Sequence, residues 1–172
     1  IREFAEIGTG TTPPRANSEY FGGDVPWALT SEVDHCVISD TKEKLTSKAV
    51  DDCGLRIYPR DTVLVAMYGQ GKTRGKSAIL GVPAAITQNC GAVIITDPDV
   101  VPAYVYLYLR AIYEEIRGQE YSGGGVPHLN LGIIGSIRVP LPSREEQEAI
   151  VSDLSARTAS IDGLQKLAND AV

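Results

Sequence analysis

Apolar residues fall into short runs along the first part of this chain and recur at helical spacing beyond Val101. Val25–Leu29 reads as a short strand carrying Trp27. Leu55–Tyr58, Thr62–Met67, Lys76–Leu80 and Gly91–Thr96 are β-branched or apolar enough to be strands as well. Thr46 is placed to cap a short helix running through Asp52, with Gly54 just past its end. The opening segment is rich in Gly, Thr and Pro. Its stretches Gly8-Thr9-Gly10-Thr11-Thr12-Pro13-Pro14 and Tyr20-Phe21-Gly22-Gly23-Asp24 read as loops and turns.

From Val101 to Arg117 the period changes. Val105, Leu109, Ile112 and Ile116 share one helical face, Pro102 suits a first turn and Gly118 suits a C-cap. Ile133–Val139 reads as a strand stopped by Pro140. Ser143 followed by Glu146 forms a capping-box pattern, so a helix is expected from residue 143 to near the end. Along it Ile150, Leu154, Arg157, Ile161, Leu164 and Ala168 trace a heptad seam interrupted by Arg157. An apolar stripe of this kind needs a surface to pack on.

With 172 residues, 43% of them hydrophobic and 22% charged, the chain is long enough for one domain with its own core. No apolar run is long enough to span a membrane and no secretory signal is visible, so a cytoplasmic protein without membrane contact is expected. Cys36, Cys53 and Cys90 are odd in number and unevenly spaced. They read as small apolar side chains in a reducing compartment rather than as a disulfide framework, and His35 beside Cys36 is too little for a metal site. The net charge of −6 argues against a sequence-blind nucleic-acid coat. One stretch runs the other way: Arg56, Arg60, Lys72, Arg74 and Lys76 face only Asp61.

Templates for catalysis fare poorly. Ala66-Met67-Tyr68-Gly69-Gln70-Gly71-Lys72-Thr73 ends as a phosphate-binding loop does, but Ala66 stands where the first glycine belongs. Such a loop must open a helix whose N–H groups face the phosphates. The sequel Arg74-Gly75-Lys76-Ser77-Ala78-Ile79-Leu80-Gly81-Val82-Pro83 does not read as one. An NTPase using Ala66–Thr73 is kept as the enzyme-class alternative. Nucleophile-elbow, dinucleotide-fold and His-Glu-x-x-His patterns are missing, and Glu145 and Glu146 are explained by the helix start they occupy. No cofactor or metal is expected.

Two glycine loops remain. In the first, Tyr68 to Lys76, glycines let the backbone approach a phosphate. If the segment is extended, Lys72, Arg74 and Lys76 share one face that can follow a phosphate backbone. Gln70 carries the donor–acceptor pair that reads adenine, and Arg74 can read guanine. The second loop sets Ser122, His128 and Asn130 beside Gly123, Gly124 and Gly125, and Gln88-Asn89 is a third polar pair between apolar runs.

Gly8-x-Gly10-x-Thr12-Pro13, Tyr20-Phe21-Gly22-Gly23-Asp24-Val25-Pro26-Trp27, Thr30-Ser31-Glu32-Val33, Thr62 through Gly75, Gly123-Gly124-Gly125-Val126-Pro127-His128-Leu129-Asn130 and Val139-Pro140-Leu141-Pro142 follow one another in this order, with Glu146-Gln147 and a helix after them. In that order they resemble the target recognition domain of the type I restriction-modification specificity subunit, over nearly the whole chain. The resemblance implies an α+β, mixed-sheet recognition domain over residues 1–142 and a long coiled-coil type helix, the spacer or dimerisation element, over 143–172. It implies sequence-specific binding of double-stranded DNA, one half of a bipartite site, by a chain that is not itself an enzyme. Methyltransferase subunits, and restriction subunits through them, are the implied partners. Tyr68, Gln70, Lys72, Thr73, Arg74, Lys76, His128 and Asn130 are the expected DNA contacts. Gln70 and Arg74 are expected to read bases, and Lys72 and Lys76 to hold phosphates. Family members carry two recognition domains, so this chain is either a fragment or a half-length subunit that dimerises through Ile150, Leu154, Ile161 and Leu164. A pure assembly module acting through the C-terminal helix is the third reading.

Overall fold

Unbroken apolar runs such as Val63-Leu64-Val65-Ala66 require cover on both faces of a sheet. A computed structural model describes residues 1–69, 72–118 and 128–170, with side chains given through residue 158 of the last helix. It provides that cover. The strands are β1 (Ala5–Thr9), β2 (Phe21–Ala28), β3 (Val37–Ile38), β4 (Glu43–Leu45), β5 (Val63–Ala66), β6 (Ser77–Leu80), β7 (Ala85–Ile86) and β8 (Cys90–Ile95). The helices are α1 (Ser47–Cys53), α2 (Pro102–Ala111), α3 (Tyr113–Gly118), α4 (Leu131–Ser136) and α5 (Arg144–Asp170).

Two mixed sheets result, one of five strands in the order β1-β8-β5-β6-β3 and one of three in the order β4-β2-β7. Pairing is antiparallel except between β3 and β6 and between β2 and β7. On one face of β5, Val63, Val65 and Met67 pack with Val93 and with Val105, Leu109, Ile116 and Ile134 of the helices. On the other, Leu64 and Ala66 meet Tyr58, Leu80 and Ile86. The small sheet closes over Trp27, Leu45, Ala49 and Leu55. The chain is thus mixed α and β with mixed sheets, as expected.

Local signals explain much of this. Thr46 Oγ1 accepts from the Ala49 amide at the start of α1, and Gly54 follows its end. Pro102 opens α2. Four expectations are corrected. The opening segment is not all loop, because β1 and β2 lie in it. β1 pairs with β8 along its whole length, and β2 carries an irregularity between Phe21 and Val25. Gly10 belongs there because a Cβ would lie 1.7 Å from the Ile86 carbonyl oxygen. Leu55–Tyr58 makes no strand, only a single bridge from Tyr58 to Ala84. The helix expected over 101–117 is broken at Ile112, so α3 sets off separately at Tyr113. Ile133–Val139 is not a strand. Its first residues belong to α4, whose Ile134 fills the space above Gly91.

α5 is tied to the body by Gln147, only 1% exposed. Its Oε1 accepts from the Val101 amide at 2.9 Å, and its Nε2 donates to the carbonyls of Asp99 at 3.0 Å and Pro142 at 2.9 Å. Ser143 Oγ accepts from the Glu146 amide at 3.3 Å, the cap its sequence announced.

Candidate nucleic-acid interface

β5 and β6 form an antiparallel hairpin, and its closing residues set the candidate site. The Ala66 amide donates to the Lys76 carbonyl and the Gly75 amide to the Ala66 carbonyl, both at 2.9 Å. Gly75 takes φ +87°, a left-handed conformation that a side chain disfavours. Met67, first residue of the loop, is bonded on both sides. Its amide donates to the Asn89 carbonyl at 2.9 Å, and its carbonyl accepts from the Leu129 amide at 3.0 Å. One residue therefore draws the Tyr68 loop, the Gln88-Asn89 turn and the His128–Asn130 segment to the same end of the large sheet. There the Tyr68 and His128 rings stack, centroids 4.9 Å apart and planes 6° from parallel. Tyr68 keeps 39% of its surface exposed.

The cations of the loop differ in their engagement. Lys72 is exposed, and among the described residues its ammonium has no acidic partner. Its carbonyl accepts from the Tyr113 hydroxyl at 2.6 Å, and the Thr73 carbonyl accepts from the Lys76 amide at 3.1 Å. Arg74 Nη2 donates to the Arg117 carbonyl at 3.3 Å. Lys76 is paired with Asp34 and retains 21% side-chain exposure; its ammonium holds the Asp34 carboxyl below the usual range. The shared face expected for Lys72, Arg74 and Lys76 rested on an extended strand. That premise fails, because β6 begins only at Ser77, with Lys72 and Arg74 in turns and only Lys76 adjoining the strand. Asn130 is the N-cap of α4, its Oδ1 accepting from the Ile133 amide at 2.8 Å. Gln70 and Gly123–Gly125 lie outside the described residues.

Two residues of this neighbourhood, Asp34 and Tyr113, went unnoticed in the sequence, and His35 was weighed there only as a metal ligand. His35 holds φ +53° and its ring meets the Tyr113 ring edge-on at 5.2 Å. Burial, then the nearby Arg110 and Lys76, push its pKa below the ordinary 6.5. Nothing local marks these residues, because the contacts join segments far apart in the chain.

The hairpin also disposes of the nucleotide loop. After Lys72-Thr73 the chain turns and enters β6, so the loop does not open the helix that a phosphate-binding loop must open. Among the described residues no group of three His, Cys, Asp or Glu side chains is arranged to hold a metal, and no helix is long and apolar enough to cross a membrane. Ile150 and Leu154 of α5 line a groove against Tyr104, Leu107 and Tyr108 of α2. Ile161 and Leu164 fall on the same helix, their side chains outside the described residues.

Comparison with known proteins adds a direct match. Residues 1–170 match the model of the type I restriction modification DNA specificity domain. The MjaIX type I restriction enzyme specificity subunit of Methanocaldococcus jannaschii is 31% identical over 159 residues, covering 90% of this chain and 36% of that protein. The EcoR124I/EcoR124II specificity subunit of Escherichia coli is 24% identical over 159 residues, covering 89% and 39%. Among solved structures, the HsdS subunit from Thermoanaerobacter tengcongensis superposes with a TM-score of 0.70 at 16% identity, covering 96% of this chain and 38% of that one. The S subunit from M. genitalium gives 0.67 at 15% identity, covering 96% and 39%. The chain thus spans well under half the length of the relatives it matches.

Proposed function

Because the chain belongs to the family of the type I restriction modification DNA specificity domain, we propose that it binds double-stranded DNA sequence-specifically and selects one half of a bipartite target for a methyltransferase and restriction complex. The observation that carries this reading is the junction at Met67, which gathers three polar segments beside the Tyr68–His128 stack and the exposed Lys72, whose ammonium has no acidic partner among the described residues. Phosphate contacts position a protein on a duplex and base contacts specify the sequence. Lys72 suits the first role and the amide and aromatic groups the second. Tyr68, Gln70, Thr73, Arg74 and His128 are assigned to this interface. Lys76 and Asn130 are assigned to shaping it, since one is bound to Asp34 and the other caps α4.

In this reading the chain is non-catalytic, the DNA chemistry belonging to its partner subunits. Residues 1–142 recognise the target, and the helix from 143 serves as spacer. Its seam of Ile150, Leu154, Ile161 and Leu164 docks a second helix, in a second copy or in the rest of a longer subunit. The test is titration of a randomised duplex library with the chain assembled on its cognate methyltransferase subunit, with sequencing of the bound fraction at two salt concentrations. Enrichment of a short motif, alone or as a spaced inverted repeat, is expected. Binding without enrichment and with steep salt loss, or no binding by a verified complex, overturns the proposal.

A further inference from the structure

We propose that Gln88 and Asn89 are base-reading residues of the same interface, a role that rests on the function proposed above. The turn from Thr87 to Cys90, between β7 and β8, is held from several directions. The Cys90 amide donates to the Thr87 carbonyl at 3.1 Å, and Thr9 Oγ1 lies 2.9 Å from the carbonyls of both Gln88 and Cys90, between which its single hydrogen is shared. The Met67 amide donates to the Asn89 carbonyl at 2.9 Å. The turn's backbone is thus held by the Cys90 and Met67 amides and by the Thr9 hydroxyl, which fixes the backbone from which its side chains project.

Those side chains are two carboxamides, and neither is used by the fold. Gln88 is exposed and Asn89 half-buried. Among the described residues neither amide hydrogen-bonds the protein. Asn often occupies turns because it tolerates positive φ or bonds its own backbone. Asn89 does neither, since the non-glycine residues with positive φ are His35 and Asp61 among those described. Turn chemistry therefore does not call for an amide at either position. The carbonyl of Asn89 is bonded to the amide of Met67, the residue just before Tyr68, which sets the turn that carries both amides next to the segment bearing the Tyr68–His128 stack.

A carboxamide offers one donor and one acceptor in a plane, the pattern complementary to N7 and N6 of adenine in the major groove. Held on a rigid turn, two such groups discriminate bases without ordering a flexible loop. The ligand class is therefore an adenine-containing position of the duplex.

The experiment compares the wild-type complex with Gln88→Ala and Asn89→Ala, each assembled on the methyltransferase subunit, in the duplex-library selection. Thermal unfolding of each variant is recorded alongside. Each variant is expected to lose preference at one or two motif positions by roughly ten- to a hundredfold, with non-specific affinity and melting temperature unchanged. Gln88→Glu and Asn89→Asp keep the shape and lose the donor, and are expected to shift preference at those positions from adenine towards cytosine. Replacing the implicated adenine by its 7-deaza analogue in the wild-type duplex should reproduce the loss. A wild-type motif retained unchanged by all four variants overturns this inference alone. A wild-type complex that enriches no motif overturns the function on which it rests, and this inference with it.

Discussion

Lys72 differs from its basic neighbours in what it is free to do. Arg56 is engaged by Glu6, Arg60 lies near Asp61, and Lys76 is held by Asp34. Lys72 carries its charge at the exposed tip of a loop anchored by its own carbonyl, through the Tyr113 hydroxyl. An ammonium so placed recognises phosphate as a point charge and carries no base preference. Lys72→Ala in the assembled complex is therefore expected to weaken all duplex sequences about equally and to lower the magnitude of the salt slope by about 1. A change in motif with unchanged salt dependence would assign Lys72 to base reading instead. Tyr113→Phe removes only the hydroxyl that fixes the Lys72 carbonyl. It is expected to cost sequence discrimination while shifting stability by about 1 kcal/mol, the net value of one hydrogen bond. Equilibrium denaturation and the selected motif, measured on the same variant, separate the two effects. Unchanged discrimination would mean that the loop tip holds its place without this bond.

At the scale of elements, α5 is attached through a buried amide rather than through its apolar stripe alone. Gln147→Leu keeps the bulk but strips hydrogen bonds from the Val101 amide and from the Asp99 and Pro142 carbonyls. Each of these part-buried bonds contributes about 0.5–1.5 kcal/mol net, so a loss of about 2–4 kcal/mol is expected in urea unfolding. Glu148→Ala, one residue on in an exposed pair with Arg144, should stay within about 0.5 kcal/mol. Equal effects would show that the helix is held by its stripe. The helix starts were legible because capping is local: Thr46, Pro102 and Ser143 act within a turn of their own positions. β1 was hidden because Gly8 and Gly10 lack side chains for reasons set elsewhere in the chain. A Cβ on Gly8 would press on the Tyr58 hydroxyl, which donates to the Thr9 carbonyl at 2.7 Å. α4 shows the opposite failure. Its two glycines and short apolar run speak against a helix, but Asn130 caps it and Ile134 has a place to fill over Gly91. The site was legible only in part for the same reason. Residue types flagged the Tyr68 loop and His128, whereas the Tyr68–His128 stack and the Asp34–Lys76 pair exist only once distant segments meet.

For the whole molecule, charge is arranged to be spent internally, and the pH dependence of stability follows from where. With a net charge of −6 the protein repels itself and a duplex alike, and most described cations sit on their own carboxylates. Glu6, Asp34, Glu43 and Asp52 are all held below their ordinary pKa by such partners. Their stabilisation is present above the unfolded carboxylate range, near 4, and is lost as pH falls through the lowered folded values. His35 acts earlier. Burial first, then Arg110 and Lys76, lower its pKa below 6.5, and only Asp34 opposes this, while Tyr113 packs on the ring without charge. The unfolded chain therefore binds a proton near 6.5 that the folded chain resists, so stability falls as pH drops from 6.5 towards the folded pKa. Relief of general repulsion on acidification works in the opposite direction but is common to any variant of similar charge. His35→Asn isolates the term, since Asn tolerates the positive φ and does not titrate. Between pH 7.5 and 5.5, urea unfolding is expected to show the wild type losing stability relative to His35→Asn, whatever the offset between them at pH 7.5. Parallel curves over that range would show that His35 titrates equally in both states and that acid sensitivity begins with the carboxylates.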